Sequence, residues 1–236
     1  MTTQPKKVPT NSSKNSTTQV TVNRKNRIIA WGGAYSKSDN HTFLDTANNL
    51  QRAYKNKDGN KYNIFVREIK TKDDFIDLIN RQPENSIRSL DIFTHGGEDS
   101  LYMVSVRQSD SWSPSQYRLW RYAFHNKTFS SSDLSSLQYK TFTQNAKIEI
   151  HGCQTAANPQ AANNLASEWS KKLYSAGKTQ SSVMGHTTNA SPLINGSKTT
   201  ASEQSYMWQQ RVAYRNGHII LDTTEKGLID EVKLSK

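Results

Sequence analysis

A chain of 236 residues suffices for one large domain or two small ones, and its single cysteine excludes an internal disulfide framework. The net charge of +11 would ordinarily favour a polyanionic partner. Residues 1–27, however, hold six Lys/Arg and no acid, which leaves 25 basic and 20 acidic side chains over the other 209 residues, a net of +5. Residues 1–26 are rich in Ser, Thr, Asn and Gln and poor in apolar side chains, so they are expected to form a disordered basic tail before one domain spanning 27–236. With half the excess charge on that tail, nucleic acid is a disfavoured partner. No apolar stretch approaches the ~18 residues of a membrane helix. No secretory apolar region opens the chain, so the expected location is the cytoplasm, or outside the cell by a route without a cleaved signal peptide.

Ordered structure is expected from Arg27-Ile28-Ile29-Ala30-Trp31, a short buried strand ended by Gly32-Gly33. From Thr42 to Tyr54, Phe43, Leu44, Ala47, Leu50 and Tyr54 recur at helical spacing. Lys57-Asp58-Gly59-Asn60 breaks the chain, and Tyr62 to Val66 reads as a second strand. Thr71 is the expected N-cap of a short helix with Asp73 and Asp74 in its first turn and Phe75, Ile76 and Ile79 inward. Arg88 to Thr94 is a third strand. Alternation of strands and helices predicts parallel pairing through right-handed crossovers.

Leu101 to Val106 reads as a hairpin strand, Tyr117 to Phe124 as an apolar cluster of undecided type, and Ser132-Asp133-Leu134 as the cap of a helical turn. Lys147 to Ile150 is the fourth parallel strand. A helix should follow, with Asn158 as N-cap, Pro159 at its first position, Ala162, Leu165, Trp169 and Leu173 inward, and Gly177 past its end. Ser182 to Gly185 is a fifth strand ending at His186. Asn216-Gly217, between Arg211–Arg215 and His218–Asp222, signals a C-terminal β-hairpin.

Two strands end alike. The third closes in Thr94-His95-Gly96-Gly97 and the fourth in His151-Gly152-Cys153, 58 residues after His95. In open α/β sheets, ligands bind beyond the carboxyl ends of the strands. If these two strands are neighbours, about 4.8 Å apart, their tips converge on one bond. A thiol attacks as thiolate, and an imidazole can take its proton. Glycine beside each group lets backbone N–H groups of Gly96 and Cys153 approach a carbonyl oxygen. The plain alternative for Cys153 is a small buried hydrophobe. A zinc site from His95, His151 and Cys153 has suitable ligand types but no dense spacing. His95-Gly96-Gly97 is also similar to the oxyanion loop of esterases, but the chain has no Gly-x-Ser-x-Gly or Gly-x-Cys-x-Gly elbow.

A hydrophobic strand ending in His-Gly, followed by one ending in Gly-Cys, resembles the caspase-like (clan CD) cysteine peptidases. The motifs Ile92-Phe93-Thr94-His95-Gly96 and Ile148-Glu149-Ile150-His151-Gly152-Cys153-Gln154-Thr155-Ala156 look most like those of bacterial CHAT proteases and the self-cleaving domains of bacterial toxins. The resemblance spans about residues 27–190. It implies a three-layer α/β sandwich with a mostly parallel sheet, and a cysteine endopeptidase, in the manner of a bacterial effector or toxin. It makes His95 the general acid/base, Cys153 the nucleophile, and the Gly96 and Cys153 amides the oxyanion donors. The substrate pocket would draw on Trp31, Gly32, Gly33 and His151, with His186 at a further strand end. His151 matches neither the acidic residue of metacaspases nor the glutamine of caspases. The expected partner is a protein or peptide substrate, with no metal and no required cofactor. Inositol hexakisphosphate switches on some toxin-type relatives, but scattered pairs such as Lys171-Lys172 locate no site for it here. A catalytically inactive caspase-like binding domain and a polyanion-binding protein are the alternatives.

Overall fold

A computed structural model of the chain describes residues 24–32, 37–103, 113 and 127–234. The tail before residue 24, Gly33, the cluster at 117–124 and the second half of the expected 101–106 strand lie outside these residues. The core is a seven-stranded sheet. In chain order its strands are β1 (Asn26–Gly32), β2 (Asn63–Ile69), β3 (Ile87–Phe93), β7 (Phe142–Ile150), β8 (Ser182–His186), β9 (Arg211–Arg215) and β10 (His218–Thr223). Their spatial order is β10-β9-β8-β7-β3-β1-β2. β2, β1, β3, β7 and β8 pair in parallel, and β9 and β10 close the sheet antiparallel. β3 and β7 are neighbours, with Leu90 opposite Ile148 and Ile92 opposite Ile150. Short strands β4 (His95–Gly96), β5 (Ser100–Tyr102) and β6 (Thr128–Ser130) form a small antiparallel sheet beyond the tip of β3.

Helices flank both faces. On one face, α2 (Lys72–Asn80) and α3 (Leu165–Ser175) bury Phe75, Ile79, Leu165, Trp169 and Leu173 against Ile28, Leu90, Ile92, Ile148, Ile150, Val183 and Val212. Burial of such side chains contributes roughly 1.5–3 kcal/mol each. On the other face, α1 (Lys37–Asp58) places Phe43, Ala47, Leu50 and Tyr54 against Ile29 and Phe93. The C-terminal segment covers the rest of that face, packing Ile229 and Leu234 on Met184 and Ala213. The result is a three-layer α/β arrangement with a mostly parallel sheet.

Local signals explain most element ends. Thr71 caps α2 by accepting from the Asp74 N–H at 3.0 Å, and Asp74 reaches back to the Thr71 N–H at 3.0 Å. Asn216 and Gly217 both adopt positive φ (49° and 75°), which a two-residue hairpin turn requires. α1 runs 22 residues, longer than its apolar stripe predicts.

The start of α3 differs from the sequence expectation. Asn158-Pro159 opens only a single 3-10 turn, Pro159–Ala161, and Ala162 then takes a left-handed φ of 49°. Ala162 is therefore not part of the inward stripe. Asn164 is the true N-cap, accepting from the Ser167 N–H at 3.0 Å while its amide donates to the Tyr214 hydroxyl at 2.9 Å. A buried cap partner in β9, far along the chain, outweighs the local Asn-Pro signal.

Candidate functional site

The site lies at the carboxyl edge of the parallel strands, where β3 and β7 end side by side. His95 and Gly96 follow β3 after Thr94, and Gly152 and Cys153 follow β7 after His151. The two tips touch. A Cβ added at Gly96 would lie 3.1 Å from the Cys153 carbonyl oxygen and 3.2 Å from the Gly152 Cα. One added at Gly152 would lie 3.2 Å from the Gly96 Cα. Only glycine permits this backbone approach. Thr155 fills the space beneath it, with its hydroxyl donating to the Gly152 carbonyl at 3.1 Å.

His95 and Cys153 are both half-buried, and the His95 ring sits edge-on to Phe43 with centroids 5.2 Å apart. After Cys153 the chain turns through Gln154 at a φ of 57°, an uncommon conformation for a residue with a side chain. The Gln154 N–H donates to the Thr188 carbonyl at 2.9 Å. The loop after β8 then lies across the thiol. The Ala190 N–H points at Cys153 Sγ at 3.3 Å, with the Ala190 carbonyl oxygen 3.8 Å from the same sulfur. That loop is stitched down by the Trp208 indole donating to the Ser191 carbonyl at 2.6 Å and by the Ser191 N–H donating to Gln209 at 3.0 Å.

The remaining expected site residues fall differently. Trp31 is half-buried beside the α1 cluster, and Gly32 is buried against Ile69. His151 and His186 are each only 1% exposed, which makes them supports behind the site rather than walls of an open pocket. His151 stacks on Phe93 with centroids 4.2 Å apart and planes 6° from parallel. Burial pushes the His186 imidazole down to about 3, helped by His151 and Arg211 and opposed by Glu149, so it is neutral.

Beneath the tips lies a charged layer that joins His151 to Asp91 and Glu149, two residues not among the expected site residues. Asp91, Glu149 and His151 each bring one ligand-type atom within 4.8 Å of the others, and all three are buried. Glu149 is already balanced by two cations, Lys147 Nζ at 2.7 Å on one oxygen and Arg211 Nη1 at 2.5 Å on the other. Burial acts to raise the Glu149 carboxyl, but Lys147 and Arg211 overcome it and hold the group far below the usual carboxylate range. Each oxygen of Glu149 is thus engaged by one cation, ammonium on one side and guanidinium on the other. Asp91 accepts from the Tyr54 hydroxyl at 2.8 Å. Burial, with the Asp91 carboxylate second, pushes the Tyr54 phenol well above its usual value and keeps it a donor. A signal for this layer does stand in the sequence: Asp91 and Glu149 each sit between branched apolar residues in the middle of a central strand, where both faces are covered.

No protein-family model matches the chain, and no curated protein or solved structure is significantly similar to it. Among the described residues, no helix is long and apolar enough to cross a membrane. Function therefore rests on the site itself.

Proposed function

We propose that this protein is a cysteine endopeptidase of caspase-like fold, with Cys153 as nucleophile and His95 as general acid/base. The observation that carries the reading is the contact between the two glycine-flanked tips, Gly96 against Gly152 and Cys153, at the carboxyl edge of neighbouring parallel strands. His95 takes the thiol proton and the Cys153 sulfur attacks a peptide carbonyl. The Gly96 and Cys153 N–H groups receive the oxyanion, at about 3–4 kcal/mol per donor. The imidazolium then gives its proton to the leaving amine, and water releases the acyl group from the thioester. The substrate is a protein or peptide, and the chemistry needs no cofactor. The test is cleavage of a peptide library by wild-type protein and by Cys153→Ala. Loss of all cleavage with an unchanged thermal midpoint supports the reading, and activity that survives the substitution sinks it.

A second reading, a catalytically silent binding domain on the same fold, is favoured by one observation, the Ala190 backbone resting on the thiol. Under it, Cys153 resists thiol-reactive peptide electrophiles and His95→Ala leaves binding intact. Rapid labelling of Cys153 by such a probe excludes this reading.

A further inference from the structure

His151 is enclosed at the junction of β3 and β7 and, through side chain and backbone together, touches three consecutive residues of β3. Its ring lies flat on Phe93 at 4.2 Å, its backbone N–H donates to the Ile92 carbonyl at 2.8 Å, and its Nε2 lies 3.5 Å from Asp91 Oδ1. Phe93 is two residues before His95, and His151 is two residues before Cys153. We propose that Asp91 and His151 form a positioning pair that holds the two reactive tips in fixed relation, an inference that rests on the peptidase reading above.

Three features support it. First, Asp91 is itself fixed, because Tyr54 of α1 donates to its other oxygen, so the grip on His151 is tied to a helix and not to a mobile loop. Second, the pair has no packing rationale. Neither ring nitrogen of His151 nor Asp91 Oδ1 makes a hydrogen bond, so the 3.5 Å approach between them is their one polar contact, and burying such groups costs free energy that an apolar residue of similar shape would avoid. Third, the pair sits in a fixed field. The groups facing His151 are Asp91, the Glu149 carboxylate with its partners Lys147 and Arg211, and the neutral His186, whose ring centroid is 6.3 Å away. Small displacements of a reacting group cost orders of magnitude in rate, so a grip on both tips has a direct kinetic value.

The experiment compares wild type, His151→Phe, His151→Gln and Asp91→Asn, measuring both reporter-peptide cleavage and the rate of Cys153 alkylation by iodoacetamide. His151→Phe keeps the stack on Phe93 but removes the ring nitrogen that faces Asp91. Its kcat should fall at least tenfold with KM within twofold of wild type, and its thermal midpoint should hold or rise. His151→Gln, whose amide again places a polar N–H opposite Asp91, should recover most of that loss, a rescue that a purely space-filling role would not give. Wild-type kcat and alkylation rate in His151→Phe overturn the inference. If that variant does not fold, Asp91→Asn carries the same tenfold expectation. If wild type shows no Cys153-dependent cleavage, the peptidase reading fails, and equal alkylation rates in wild type and His151→Phe then dispose of the positioning pair separately.

Discussion

The two faces of the central sheet are built from the same strands and by different means. Along β7, Ile148 and Ile150 point to the face under α2 and α3, while Lys147 and Glu149 lie on the face under α1 and the C-terminal segment. β3 alternates likewise, with Leu90 and Ile92 on the first face and Ser89, Asp91 and Phe93 on the second. The first face is held by apolar area, which is non-directional and tolerant of repacking. The second adds to its own apolar clusters a layer of desolvated charge pairs whose attraction roughly balances the cost of taking them out of water. Such pairs add little net stability, but they fix geometry, since each partner has one satisfying position. The charged face, not the apolar one, runs up to the tips carrying His95 and Cys153. Both faces bury apolar area, but directional contacts leading to the tips come from the second.

The sharpest way to break that contrast is to remove a large group from each face. Trp169, fully buried and packed against Phe75 and Phe129, should cost about 3–5 kcal/mol as Trp169→Ala, read by urea unfolding. Activity per folded molecule should stay within twofold. Glu149→Gln should cost about 3–5 kcal/mol as well, because it strands Lys147 and Arg211 in the interior. The difference lies in the rescue. Replacing Lys147, Glu149 and Arg211 together by apolar residues of similar volume should restore most of the stability while leaving cleavage impaired. Full recovery of both stability and activity would erase the distinction between the faces.

The charged face should also make the protein acid-sensitive. His186 is neutral in the fold down to about pH 3, whereas the unfolded chain protonates it near 6.5. Its contribution is therefore complete above pH 6.5 and is lost as pH falls toward 3. At 1.4 kcal/mol per unit this amounts to about 2 kcal/mol by pH 5. Glu149, held low by Lys147 and Arg211, adds a second loss below the ordinary carboxylate range near 4.3. The thermal midpoint should fall from pH 6.5 and fall faster below 4.5, and His186→Gln should flatten the upper part. A midpoint constant from pH 8 to pH 5 would show that the His186 burial is not carried into solution.

The apolar face was largely legible from sequence, since Ile, Leu and Val at alternate positions between turn signals require a covered strand. The Asn216-Gly217 hairpin and the Thr71 capping box were legible for the same reason: their determinants are adjacent in the chain. The adjacency of the β3 and β7 ends was also legible, because each strand closes on a glycine beside a polar side chain. What the sequence hid depends on partners brought together by the fold. Asn164 caps α3 with help from Tyr214, and Arg211 reaches Glu149 across β8. Ala190, a small residue in a polar loop distant in sequence, supplies the backbone that covers the thiol. His151 was visible as a residue near Cys153, but its stack on Phe93 turns it away from an open pocket.

The smallest change tests the junction of the two faces. In Gly96→Ala the new methyl would meet Thr155 Cγ2 at 3.0 Å, the Cys153 carbonyl oxygen at 3.1 Å and the Gly152 Cα at 3.2 Å. Two of these neighbours are backbone and cannot rotate away, so the tips must part by a few tenths of an ångström. Overpacking of this kind costs roughly 1–3 kcal/mol, less than losing Trp169 or Glu149. For chemistry that depends on two groups meeting one carbonyl, the same displacement should reduce kcat/KM at least tenfold. The Trp169→Ala protein, less stable but with its tips undisturbed, is the control. Gly96→Ala should be the more stable and the less active of the two, and the reverse order would separate catalysis from the contact between the tips.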